Sequence, residues 1–156
     1  MTDEQISGFT RRISQSNRSE LIVIMYDMFF AYAEDAKANQ DNLEEYVAAI
    51  RGAEAVLDRL MKSLDFSYEV SKELYALYQY VMRQLSVAMY KNKWDEAVPG
   101  VRVMEKLLVA FQGVAASDTS EPLMKNAERV VAGMTYGRGS LVEDYIDSGS
   151  NRGFLA

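Results

Sequence analysis

Between residues 17 and 115, apolar residues return at steps of three and four, the spacing that gathers side chains on one side of a helix. The pattern is cleanest after Asn42, a capping residue with Glu45 three positions on. Leu43, Tyr46, Val47, Ile50, Leu57, Leu60, Met61 and Leu64 share one side, while Glu44, Arg51, Arg59 and Lys62 face away. Glu54 falls inside the apolar arc, a position that suits an arc edge with buried stem and wet carboxylate. An earlier helix is expected from Asn17, with Glu20 in the capping-box position, to about residue 38. Leu21, Ile24, Met25, Met28 and Tyr32 share a face, but Ile22, Val23, Tyr26, Phe29 and Phe30 spread apolar surface almost all round. Asp27 and Glu34 mark only a narrow wet strip, so this helix is central in its bundle or touches something outside it.

A third helix is expected to open at Ser67 and end near Lys91-Asn92-Lys93. Its apolar surface is wide and chemically divided. Val70, Leu74, Leu77, Val81, Leu85 and Ala88 form an aliphatic stripe, and Tyr68, Tyr75, Tyr78, Met82 and Met89 run beside it. Both stripes serve as core in one reading. In the other, the second stripe receives another chain, since methionine repacks easily and tyrosine joins an apolar body to a hydroxyl that can stay wet. A fourth helix starts near Trp94-Asp95, tolerates Pro99 in its first turn, and buries Val101, Met104, Leu108 and Phe111. Ser120-Glu121-Pro122 has the form of a cap and first turn of a short helix ending before Gly133.

No stretch alternates with period two, and the connections are a few residues long, which sets sequential helices antiparallel. The expected fold is all-α: an antiparallel up-and-down four-helix bundle with a short fifth helix and a flexible C-terminal tail. The expected division is an N-terminal segment at 1–16, a bundle at 17–133 and a tail at 134–156. The tail carries Tyr136, Tyr145, Ile146, Phe154 and Leu155, either as a plain disordered terminus or as side chains that dock on the bundle or a partner.

Composition narrows the function. The chain of 156 residues is long enough to bury a core as one domain. Seventeen basic side chains stand against twenty-three acidic ones, a net charge of −6 without a basic run, which argues against nucleic acid as a partner. There is no cysteine and no histidine, which removes disulfides, thiolate nucleophiles, the commonest general base and the commonest transition-metal ligand. No cofactor is expected, and the inward positions hold no acidic pair for catalysis, so an enzyme is not expected. The acidic N-terminus lacks the apolar core of a secretory signal, and the longest apolar run, 21–33 interrupted by Asp27, is too short for insertion in a membrane. These features together imply a cytoplasmic protein.

Two stretches carry a resemblance to a known family. Ser19-Glu20-Leu21-Ile22-Val23-Ile24-Met25-Tyr26-Asp27 is similar to the opening helix of the FliS family of flagellar export chaperones. Leu74-Tyr75-Ala76-Leu77-Tyr78-Gln79-Tyr80-Val81-Met82-Arg83-Gln84-Leu85 resembles that family's Leu-x-x-Leu-Tyr-x-Tyr-x-x-Arg-Arg-Leu helix, and residues 49–64 fit the helix between them. The resemblance spans 17–114. Gln84 stands where a second arginine is usual, Phe111 falls near a usual tryptophan, and the family's aromatic-rich N-terminal segment is reduced here to Phe9 and Ile13.

The resemblance implies a cytosolic chaperone that binds the C-terminal segment of flagellin in an apolar groove and prevents its premature polymerisation. It also implies the flagellar export gate as a second partner. The expected cargo contacts are Met25, Tyr26 and Phe30 on the first long helix, and Tyr75, Tyr78, Met82, Arg83 and Met89 on the third. Tyr78 lies nearest the aliphatic stripe and suits a structural role equally well. Phe30, the outlier of its helix, should meet the fourth or fifth helix or contact cargo. Arg83 suits a bidentate contact to a carboxylate or backbone carbonyl, or a solvated or intrahelical pairing with Gln79 or Gln84. The rival reading is a helical adaptor for another protein, or an oligomeric bundle whose wide faces are subunit contacts. The expected state is a monomer or weak homodimer.

Overall fold

The computed structural model describes residues 1–124. Five α-helices follow one another: α1 (Asp3–Gln15), α2 (Arg18–Ala38), α3 (Leu43–Lys62), α4 (Glu69–Lys91) and α5 (Val98–Ser117), with a single 3-10 turn at Trp94–Glu96 before α5. Helices α2 to α5 form the antiparallel bundle. Helix α2 packs on α3 and α5, and α4 closes the square from the opposite corner by packing on the same two. The all-α, up-and-down architecture expected from the periodicity therefore holds.

The shorter fifth helix is N-terminal. Residues 3–15 form α1 because Thr2 accepts from the Gln5 amide at 3.3 Å while the Gln5 side chain accepts from the Thr2 amide at 2.8 Å. This reciprocal cap sits ahead of Ile6, Phe9 and Ile13, spaced along one face. Residues 120–122, expected to open a short helix, are not helical. The rest of that segment and the tail at 134–156 lie outside the described residues.

Caps explain most boundaries. Asn17 and Glu20 form a reciprocal box with both bonds at 2.9 Å, and Asn42 accepts from the Glu45 amide at 3.5 Å. Helix α4 begins one residue later than Ser67 implied, with Tyr68 at the cap. Asp65 takes up the local polar groups instead, binding the Ser67 amide at 2.9 Å through its carboxylate and the Ser71 hydroxyl at 2.6 Å through its carbonyl. The helix ends at Asn92, whose φ of 49° lies in the left-handed region that asparagine tolerates. The Trp94-Asp95 start belongs to the 3-10 turn. Helix α5 proper opens at Val98 with Pro99 in the first turn, where no backbone donor is needed.

The core holds Phe29, Ile50, Leu57, Leu60, Val81, Leu85 and Met104, together with three tyrosines. Each buried phenol finds a partner, as burial requires. Tyr46 donates to the Ala88 carbonyl at 2.9 Å, and the hydroxyls of Tyr26 and Tyr78 lie 2.7 Å apart. Burial is the main reason both Tyr26 and Tyr78 titrate above the ordinary phenol range. At the α2–α3 crossing the ring of Tyr32 rests on Gly52 so closely that a β-carbon there would overlap it. A glycine thus makes room for the Tyr32 ring where α2 and α3 pack.

The near-uniform apolar surface of α2 now has an explanation. Its face toward α3 carries Tyr32, its face toward α5 carries Tyr26 against Phe111 at 5.4 Å, and its outer face is covered by α1. The N-terminal residues also pair with acids of α2, Arg12 with Asp27 of the wet strip at 2.5 Å and the amino group of Met1 with Asp35 beside it. Helix α2 is central because it has neighbours on three sides.

Candidate functional site

Helix α4 is flanked by two apolar seams. On the side toward α3, Tyr75, Met82 and Met89 recur at intervals of seven residues, a single line along the helix. The opposing line on α3 is Val47, Glu54 and Met61, at the same interval. A hydrogen bond from the Ser86 hydroxyl to Glu54 Oε1, 2.9 Å long, sets the register between the two. Both methionines on α4 and both apolar residues on α3 are half-buried, touching the core with one side of the chain. Tyr75 is 37% exposed, and its ring meets Phe66 edge-on at 5.7 Å, which extends the seam into the α3–α4 loop.

The other seam faces α5. Gly100, buried at the start of α5, lies against Val81 and Gln84, so a β-carbon there would stand 3.3 Å from each. Gln84, Leu77 and Val70 form one line on α4, again at seven-residue steps, and this line therefore runs beside α5. Leu77 is 37% and Val70 55% exposed. Sequence periodicity put both in the aliphatic core stripe, and this needs correcting: only Val81, Leu85 and Ala88 of that stripe are buried, with Leu74 half-buried. The stripe spans more arc than the core admits, so its outer edge stays open. On α5 the matching face holds Val103 and Leu107, half-buried, and Val114, exposed.

The residues expected to meet cargo are distributed as follows. Tyr26 and Tyr78 are buried and bonded to one another, so their rings belong to the core and offer no surface. The angles of their helices aim both at the bundle axis, where a shared hydrogen bond offsets phenol desolvation. Tyr75, Met82 and Met89 are brought together on the α3 seam. Arg83 is exposed and turned away from that seam, with no ion pair or side-chain hydrogen bond among the described residues. Met25 and Phe30 are half-buried on α2, diagonally across the bundle, and Phe30 stacks edge-on with Phe29 at 5.4 Å. They share no surface with the α4 residues. Sequence reading missed the open edge at Val70 and Leu77, whose only signal was the excess width of the apolar arc.

A third feature ties the chain after α5 to the elbow between α1 and α2. Asn17 donates to the carbonyls of Asp118 (3.3 Å) and Ser120 (3.2 Å), Ser19 donates to the Asp118 carboxylate, and the Leu123 amide donates to the Ser16 carbonyl at 3.0 Å. Hydroxyls of Ser120 and then Ser19, with the Ser120 amide, hold the Asp118 carboxyl down at about 2.

Among the described residues no helix is long and apolar enough to cross a membrane. A sequence model of the flagellar protein FliS matches residues 2–118, and the chain belongs to the FliS family. The match takes in α1 as well as the bundle. No curated protein matches the chain. Membership makes it a flagellar export chaperone in general terms and sets it apart from enzymes.

Proposed function

We propose that this FliS-family chain binds the C-terminal segment of flagellin in the cytoplasm, shielding it from premature polymerisation until export. The observation that carries the reading is the pair of half-open apolar seams on either side of α4, one lined by Tyr75, Met82 and Met89, the other edged by Val70 and Leu77. A disordered segment that folds on binding needs a large apolar contact to offset its ordering entropy. Seams of this kind accept the apolar stripe of an amphipathic helix. The flexible thioether of methionine suits a surface that is covered by core-like packing when cargo is present and tolerates water when it is not.

Met25 and Phe30 enter the reading as a second contact area on α2, which an extended ligand reaches only by passing around the bundle. The export gate is the expected receiver of the loaded complex. The test is calorimetric titration with the C-terminal segment of flagellin from the same organism. Saturable one-to-one binding with a large negative heat-capacity change is expected. A folded bundle that gives neither heat nor added mass with this segment removes the reading. Light scattering on the free protein separates it from the rival: an obligate dimer burying the seams would assign them to subunit contact.

A further inference from the structure

The α3–α4 seam contains one charged group, Glu54, amid Val47, Met61, Met82 and Met89. Its angular position on α3 lies between those of Met61 and Val47, on the flank that faces α4. The residue is half-buried, with the Ser86 hydroxyl as its hydrogen-bond donor at 2.9 Å. Among the described residues no lysine, arginine or amino terminus stands within 4.0 Å of it. A carboxylate that keeps one neutral donor inside an apolar strip is tolerable while water reaches its other lone pairs. It becomes expensive once a ligand covers the strip, unless that ligand brings a positive partner.

We propose that Glu54 is the charge-reading position of the seam: the cargo segment laid along α3 and α4 is an amphipathic helix that presents a lysine or arginine within its apolar stripe, opposite Glu54. The inference rests on the chaperone reading above and adds to it the chemistry the seam selects. The line from Tyr75 to Met89 advances by fourteen helical steps, about 21 Å at the helical rise. It offers apolar contact for about four turns of a bound helix, with Glu54 midway between Val47 and Met61 on α3 and Ser86 between Met82 and Met89 on α4. The apolar ends supply affinity, and the carboxylate fixes register and rejects an apolar helix that carries an acid or no charge at that place.

Titrations of the C-terminal flagellin segment into the wild-type chain and into Glu54→Gln, at low and high salt, test this. Glutamine keeps an acceptor for Ser86 and the length of the side chain, and an unchanged melting temperature would verify the fold. The expected result is binding weakened about three- to thirtyfold at low salt in Glu54→Gln, with a flatter salt dependence than wild type, the scale of exchanging a charge-assisted hydrogen bond for a neutral one. Equal affinity and equal salt slope, or tighter binding by Glu54→Gln, would overturn the inference while leaving the chaperone reading intact. If the wild-type chain fails to bind the segment at all, both fall together.

Discussion

Tyr26 on α2 and Tyr78 on α4 join their hydroxyls across the diagonal of the bundle, 2.7 Å apart and 52 residues apart in sequence. The two helices they tie have no extensive packing with each other. Each phenol offers one hydrogen, and in this pair either oxygen can be the donor. Replacing one tyrosine by phenylalanine leaves the other hydroxyl buried with no protein partner. Tyr26→Phe or Tyr78→Phe should therefore destabilise by about 1–3 kcal/mol, and the double variant by less than the sum. Urea denaturation of the three variants checks it; strict additivity would mean that the hydroxyls do not depend on one another.

The Gly52–Tyr32 contact predicts a steric penalty at the main helix crossing. Gly52→Ala should cost about 1–3 kcal/mol despite alanine's better helix propensity, because the ring must leave its place or the helices must part. Combining it with Tyr32→Ala should recover part of the loss. A melting temperature raised by Gly52→Ala alone would show that the crossing has room to spare.

Core and seam should separate in substitution data. Leu57 and Leu85 are fully buried, and truncation of either to alanine should cost about 2–5 kcal/mol. Met82→Ala and Leu77→Ala remove side chains that remain partly open, so they should cost less stability and at least about 1 kcal/mol of cargo affinity. Paired thermal melts and titrations distinguish the classes. Met82→Ala as damaging to stability as Leu85→Ala, with cargo binding unchanged, would return the α3 seam to the core.

Asn17 has two separable duties. Its carbonyl oxygen caps α2, and its amide group holds the Asp118 and Ser120 carbonyls. Asn17→Ser keeps a capping oxygen and removes the amide donors. Amide exchange should stay slow in the first turns of α2 and become faster at Leu123. Unchanged protection at Leu123 would mean that its bond to Ser16 holds without help from Asn17.

The same junction has a pH signature. The Asp118 carboxyl, at about 2 in the folded chain against an ordinary value of 3.8, binds its proton less readily folded than unfolded. Its contribution is complete above the unfolded value and disappears as the pH falls from about 4 toward 2. Ser19→Ala removes one of the donors that hold it down, so carboxyl titration by NMR should find Asp118 moved toward 3.8. No movement would leave the depression to Ser120 alone.

Much of this architecture is written in local sequence. Asn17 with Glu20, Asn42 ahead of Glu45, and the three- and four-residue steps between them are decided within a few turns of chain, so the helices, their antiparallel order and the absence of sheet were legible directly. Even α1, which a division at residue 16 leaves outside the bundle, has its signal in Thr2, Gln5 and the spacing of Ile6, Phe9 and Ile13. The lack of histidine and cysteine likewise excludes whole classes of chemistry without reference to any fold. What the sequence could not settle was depth. Periodicity gives the angle of a side chain about its own helix axis, whereas burial depends on which distant helix lies at that angle. Tyr75 and Tyr78 look alike on the helix surface, yet one falls at the open α3 flank and the other at the axis facing Tyr26. Val70 and Leu77 look like core until the line they share with Gln84 is found at the α5 flank. Only the packing of four helices, each supplying neighbours to residues far along the chain, decides which part of a wide apolar face is closed and which stays open to a partner.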